Sequence, residues 1–131
     1  EILKWVKNST IEWWGQCKDM PEVLAKASIV VLPTTYGEGV PKILLEAAAI
    51  GRPIITTDIA GCREIVRHEE NGLLIPPNDV TALTSAIVDL LSDKTRRLYM
   101  GHRGREIVEN EFSEKSIVNQ TMVLYNELLQ H

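Results

Sequence analysis

Two glutamates, Glu38 and Glu46, lie in the segment of the chain best suited to chemistry. Residues 36–50 read YGEGVPKILLEAAAI, so two glycines flank Glu38 and a strongly apolar run surrounds Glu46. A carboxylate buried in such a run is costly unless it has a partner. A glycine loop that opens onto a helix N-terminus is a common place for phosphate groups to bind. We therefore expect the loop to hold an anion while Glu46 accepts hydrogen bonds from hydroxyls beside it.

Each feature also has a purely structural interpretation. Glu46 could pair with Lys42 one helical turn earlier, which would stabilise the helix by only about 0.2–0.5 kcal/mol. Glu38 could be a solvated loop acid. Gly37 and Gly39 allow close approach of the backbone to a ligand, but they could equally form a plain turn. They match neither a dinucleotide fingerprint nor a P-loop. The residue types alone leave both interpretations open.

Short strands and helices alternate through the first two thirds of the chain. Strands are predicted at residues 10–14, 28–32, 52–57 and 73–75, and helices at 22–26, from Pro41 to about Ile50, and at 62–66. Continuous apolar strands separated by helices indicate βα units and a parallel sheet that is covered on both faces. Ligands bind such sheets at the carboxyl ends of the strands, where the loops 33–39 and 57–61 should lie.

The last third is predicted to be helical. Asp79 is a candidate N-cap for a helix with an apolar face, followed by a polar helical segment at 94–110 that Gly101 and Gly104 should weaken. Ser113 is predicted to cap a final helix. Asn71 and Gly72 form a turn signal before the third buried strand.

Bulk properties exclude several classes of function. The 131 residues fit one domain, and a net charge of −4 argues against a nucleic-acid surface. No apolar run approaches the ~20 residues of a membrane span. Cys17 and Cys62 match no metal or redox spacing, so we expect free thiols in a reducing, cytoplasmic compartment. The three histidines are scattered and suggest no metal site.

Several motifs in order resemble the C-terminal domain of retaining glycosyltransferases with the GT-B fold, group 1 (family 4). They are SIVVLPTTYGEGVPKILLEAAAIGRPIITTDIAGCREIV and NGLLIPPND, and the resemblance extends from about Thr10 to the C-terminus. Glu38, Gly39, Val40 and Pro41 with Glu46 fit the family's E-x7-E pattern. The resemblance implies an α/β fold, a Rossmann-like three-layer sandwich with a short parallel sheet and C-terminal helices.

The resemblance also implies a donor-binding site for a nucleoside-diphosphate sugar. Glu46 would accept hydrogen bonds from the ribose hydroxyls, and Glu38 would be the catalytic glutamate near the transferred sugar and diphosphate. The backbone of Gly39 and Val40 would contact the sugar or phosphate, with Gly37 and Pro41 completing the nucleotide-sugar-binding segment. No metal and no cofactor would be needed, because side chains and the helix dipole take the metal's place.

By the same resemblance, residues 1–131 form a single, N-terminally truncated nucleotide-sugar-binding domain. The upstream arginine and lysine of the family and its N-terminal acceptor domain would then belong to the same full-length protein. The fragment alone is expected to be inactive and prone to self-association through an exposed apolar face. Peripheral membrane association of the full-length enzyme is compatible with this interpretation, whereas nucleic-acid binding is not expected.

Two alternatives remain at this point. The first is another GT-B enzyme, a nucleotide-sugar epimerase or a phosphorylase, although no lysine poised for a phosphorylase cofactor is evident. The second is a non-catalytic, receiver-like α/β interaction domain. That class requires an acidic cluster at the strand ends with a phosphoacceptor aspartate, for which Asp58 is the only candidate.

Overall fold

The computed structural model describes residues 27–34, 41–112 and Val123. Within these residues the chain forms three strands and four helices. In chain order they are β1 (Val30–Leu32), α1 (Lys42–Ile50), β2 (Ile54–Thr57), α2 (Ala60–Arg63), β3 (Gly72–Ile75), α3 (Val80–Leu91) and α4 (Lys94–Glu111). The strand predicted at residues 10–14, the helix at 22–26 and the helix after Ser113 lie outside the described residues.

The three described strands form one parallel sheet in the order β1-β2-β3. Val30 pairs with Ile54 across the first interface, and Ile54 pairs with Gly72 across the second. The predicted parallel sheet is therefore confirmed, although β1 and β2 each begin two residues later than the apolar runs suggested. Every residue of β2 is buried, as expected for a central strand covered on both faces.

Side-chain alternation along the strands divides the apolar core into two parts. Ile54 packs with Val30 and with most of α1, whereas Ile55 packs with Leu73 and with Leu90 of α3. Neighbouring residues of a strand point to opposite faces, so α1 and α2 cover one face of the sheet and α3 covers the other. The result is the three-layer sandwich that the sequence predicted.

Helix α1 is the most deeply buried helix in the described part of the chain. Seven consecutive residues, from Leu44 to Ile50, are buried. The helix ends as predicted at Gly51, whose φ of 83° places it in the left-handed region. The Gly51 amide donates to the Ala48 carbonyl at 3.0 Å, which satisfies one of the carbonyls that a helix end leaves unpaired.

The boundaries of the other helices follow their caps. The Asp79 side chain accepts a hydrogen bond from the Ala82 amide at 2.9 Å, which confirms the predicted N-cap. Helix α2 differs from its prediction, since it spans Ala60–Arg63 and not residues 62–66. Its first backbone bonds run back to the Ile59 carbonyl, so the turn starts directly after the strand end, before Gly61.

Helix α4 is an uninterrupted helix of 18 residues despite its two glycines. The sequence suggested that Gly101 and Gly104 would weaken it, but both glycines are buried where the helix crosses α1. A Cβ atom on Gly101 would lie 2.2 Å from the Gly51 carbonyl oxygen. The missing side chain therefore allows the two helices to approach, and packing outweighs the lower helix propensity of glycine.

The turn before β3 is held by a buried side chain and by ion pairs. The Asn71 side chain is fully buried, accepts from the Arg67 amide and donates to the Ile65 carbonyl. Arg67 forms a bidentate pair with Glu111 of α4, with both N–O distances at 2.6 Å. The predicted turn at Asn71 thus has a structural explanation.

Candidate functional site

Helix α1 begins at the carboxyl edge of the sheet, on the connection that leaves β1. Pro41 is its N-cap, with φ −62° and ψ 131°, and no side chain caps the helix within the described residues. The first turn contains no acidic residue. This helix end therefore retains the partial positive charge of its backbone amides, as an anion-binding terminus would. The site residues Gly37, Glu38, Gly39 and Val40 lie outside the described residues.

Glu46 lies just over one turn into α1, and its side chain is directed into the protein. The residue is only 5% exposed. Lys42 contributes one ion pair, with Nζ 3.9 Å from Oε1, and the lysine side chain is 69% exposed. Oε2 has no hydrogen-bond partner among the described residues. Pairing with Lys42 therefore accounts for Oε1, at the limit of ion-pair distance, but does not account for Oε2.

Burial changes the protonation chemistry of Glu46. Loss of hydration raises the pKa of its carboxyl group, and the nearby Lys42 charge lowers it by less. A carboxylate in this position can accept hydrogen bonds from two neighbouring hydroxyls, which would stabilise its charged form. Within residues 27–34 and 41–112, no group donates such a hydrogen bond to Oε2.

A cleft of about 240 Å³ lies at the same edge of the sheet, on the α3 side. Thr57 and Ile75, the last residues of β2 and β3, line it together with residues that follow β1 and β3. The remaining lining residues are Pro33, Pro76, Asn78, Asp79, Val80 and Leu83. The sequence located this edge through its strand ends but did not single out Thr57 or Asn78. The sequence signals that could have identified these two residues are the threonine at the end of the strand and the PPND turn at residues 76–79.

The receiver-like alternative finds no support at the strand ends that the structure describes. Asp58 follows β2, but it is exposed and lies 3.4 Å from the Arg63 guanidinium.

Across residues 27–34 and 41–112, no three His, Cys, Asp or Glu residues are grouped as metal ligands would be. Cys62 is buried, and its sulfur lies 3.3 Å from the Thr56 hydroxyl oxygen. In the same part of the chain, no helix is both long and apolar enough to cross a bilayer.

Curated proteins with similar sequences are polysaccharide and glycoside-forming enzymes by name. The chain is 40% identical over 123 residues to an exopolysaccharide phosphotransferase of Streptomyces coelicolor, covering 93% of the chain and 13% of that protein. It is 33% identical over 133 residues to the N-acetyl-α-D-glucosaminyl L-malate synthase of Bacillus anthracis, covering 98% of the chain and 35% of that protein. The chain thus spans about an eighth and about a third of these two relatives.

Solved structures show the same fold. Anabaena Alr3699/HepE, determined in complex with UDP, superposes with a TM-score of 0.79 at 22% identity, covering 98% of the chain and 34% of HepE. This likeness confirms the predicted fold class. The family model described as glycosyl transferases group 1 matches residues 1–93, about seven tenths of the sequence. The chain belongs to the group 1 glycosyltransferase family.

Proposed function

We propose that the full-length protein transfers a sugar from a nucleoside-diphosphate sugar to an acceptor hydroxyl, and that residues 1–131 bind the donor. The observation that carries this proposal is the buried Glu46 carboxylate. Among the described residues, no side chain caps the helix terminus above it, and its Oε2 has no hydrogen-bond partner. Ribose hydroxyls on that oxygen would compensate its burial. The backbone amides at the start of α1 would face the diphosphate, where negative charge grows as the donor bond breaks.

Similarity supports the same assignment. The family is one of sugar transferases, and HepE is described as a complex with UDP. We therefore propose a uridine nucleotide as the first donor to test. The epimerase, phosphorylase and receiver-like alternatives are not favoured, because the named relatives are transferases or synthases.

The remaining parts of the proposal concern residues outside those described and the environment of the protein. Glu38 would act beside the transferred sugar, with Gly37, Gly39, Val40 and Pro41 contacting sugar or phosphate. Transfer would retain the anomeric configuration and need no metal. We place the enzyme in the cytoplasm, in carbohydrate biosynthesis, with peripheral membrane contact compatible with that role.

Replacing Glu46 by glutamine in the full-length protein tests the donor site. Glutamine keeps the shape but removes the charge, and hydrogen bonds to a charged group contribute about 1.5–3 kcal/mol each. We expect UDP affinity, measured by calorimetry, to fall about 10- to 100-fold. Transfer should fall in parallel and, in the wild type, should continue in the presence of EDTA.

Glu106→Gln is the matched control, because Glu106 is an exposed glutamate of α4, far from α1 in sequence, that pairs with Arg103 at 3.7 Å. It should bind UDP as the wild type does. If Glu46→Gln also binds UDP with unchanged affinity, Glu46 does not belong to the donor site. Loss of transfer in Glu38→Gln with UDP binding retained would support the role of Glu38 in the reaction.

The phosphotransferase name of the Streptomyces relative suggests a second candidate, transfer of a phosphate-linked sugar. The two reactions give different products from the same donor. Mass spectrometry of the product separates them, since a phosphoryl group remains in the product only in the second reaction. A product without phosphorus supports glycosyl transfer.

A further inference from the structure

A lysine occupies the first position of α1, where the helix dipole disfavours positive charge. The helix begins at Lys42, and among the described residues no acidic side chain lies in its first turn and no side chain caps it. Cations stabilise a helix near its C-terminus and are unfavourable at its N-terminus, where the free backbone amides are already partly positive. Lys42 and these amides therefore concentrate positive charge that an anionic ligand would neutralise.

Pairing with Glu46 does not account for this lysine. The two side chains lie four residues apart on one face of α1, with Nζ 3.9 Å from Oε1, the limit of an ion pair. The Lys42 side chain is 69% exposed, so water screens most of this attraction. A pair at this distance, with the lysine ahead of the glutamate, contributes little to the stability of the helix. The ammonium group is therefore available to a ligand at the carboxyl edge.

The carboxylate of Glu46 indicates a ligand on the same face of α1. The residue is 5% exposed, and its Oε2 has no hydrogen-bond partner in the part of the chain that the structure describes. One helical turn, about 6 Å along the axis, separates Glu46 from Lys42. A ligand whose hydroxyls contact Glu46 can therefore extend toward Lys42 and the helix N-terminus. A nucleoside diphosphate presents ribose hydroxyls and negative charge in this order.

We propose that Lys42 binds the diphosphate of the donor directly while Glu46 holds the ribose, an assignment that rests on the proposed function of the same site. On donor binding, the ammonium group turns from Glu46 toward a phosphate oxygen, and the ribose hydroxyls replace it at the carboxylate. Both charges stay compensated, so little is lost when the weak ion pair opens. Lysine binds phosphate as a point charge on a flexible stem, which suits a side chain that changes partners.

Calorimetry of UDP binding to the full-length protein tests this role with Lys42→Met, which removes the charge and keeps an unbranched side chain. We expect UDP affinity to fall about 3- to 10-fold, and Lys42→Arg, which retains the charge, to lose less. The difference between wild type and Lys42→Met should shrink at high salt, because salt screens an exposed charge. Lys94→Met is the matched control, since Lys94 is the exposed first residue of α4, and it should bind UDP as the wild type does.

Combining Lys42→Met with Glu46→Gln separates a direct contact from an effect that acts through Glu46. If Lys42 contacts the diphosphate, its removal weakens UDP binding in the Glu46→Gln background as well. An effect that vanishes in that background would mean that Lys42 only positions Glu46, which overturns the assignment. A Lys42→Met variant that binds UDP as tightly as the wild type also overturns it, and leaves the donor site itself intact. A wild type that does not bind UDP overturns the donor site and this role of Lys42 together.

Discussion

At the scale of single residues, Glu46 places stability and binding in opposition. Its carboxylate is buried, and among the described residues one of its oxygens has no hydrogen-bond partner, so ionisation of Glu46 costs free energy in the folded protein. A natural sequence retains such a group where function needs it, and a bound diol would remove the penalty. The exposed Lys42 relieves it only in part.

The same residue gives the folding stability a defined pH dependence. Folding raises the pKa of Glu46 above its ordinary value of 4.5, so the folded state favours the protonated form. Its contribution to stability is full below pH 4.5 and declines as the pH rises through the folded-state pKa. Glu46→Gln mimics the protonated form and should be more stable than the wild type at pH 8, by about 1 kcal/mol.

Urea unfolding of both proteins between pH 4 and pH 8 measures this effect, and the difference between them isolates Glu46 from other titrating groups. The advantage of the glutamine variant should shrink toward pH 4. A wild type that gains stability over Glu46→Gln as the pH rises would contradict a raised pKa. Saturating UDP should reduce the difference in unfolding free energy between the two proteins if the nucleotide donates hydrogen bonds to Glu46.

At the scale of elements, α4 joins the two halves of the core. Met100 packs in the α3 layer, while Val108 packs in the α1 layer. Between them, Gly101 and Gly104 allow α4 to lie directly on α1 and on the Asn71 turn. The contact holds the C-terminal end of α1, the helix that carries Glu46, against a long neighbouring helix.

The two glycines should respond to alanine with opposite signs. A Cβ on Gly101 would meet backbone at 2.2 Å, which cannot move aside without shifting a helix. We expect Gly101→Ala to destabilise by about 1–3 kcal/mol. A Cβ on Gly104 would meet the Asn71 Cβ at 3.4 Å, an ordinary contact, so the helix propensity of alanine should stabilise by up to about 1 kcal/mol.

Thermal unfolding of the two variants under one set of conditions checks this pair. Each variant is the other's control, because both add one methyl group to the same helix. Equal destabilisation of both would mean that the close approach at Gly101 is not decisive. A rise in Tm for Gly101→Ala would contradict the geometry outright.

At the scale of the whole molecule, the chain matches only part of the length of its curated relatives. It spans 13% and 35% of the two curated relatives. The described surface also leaves apolar side chains exposed, including Val88 and Leu91 on α3 and Leu98 on α4. Under the proposed function, groups outside residues 1–131 would also take part in transfer.

Residues 1–131 expressed alone should therefore show no transferase activity. UDP release from a UDP-sugar panel with acceptor, compared with the full-length protein at equal concentration, measures this. The lost activity reflects absent groups, so UDP binding by the fragment is the internal control for its folding. Turnover by the fragment at the full-length rate would show that one domain suffices.

The sequence alone determined the βα order, the parallel sheet, the burial of α1 and the family, because periodicity, caps and ordered motifs are local signals. It did not determine the role of α4, since the contact of Gly101 with Gly51 joins residues fifty positions apart. Nor did it indicate that the Thr56 hydroxyl donates to the Leu32 carbonyl, as this depends on what packs against each face of β2. The residue type and apolar setting of Glu46 were visible in the sequence. Only the tertiary structure showed that its buried Oε2 has no hydrogen-bond partner in the part of the chain that is described.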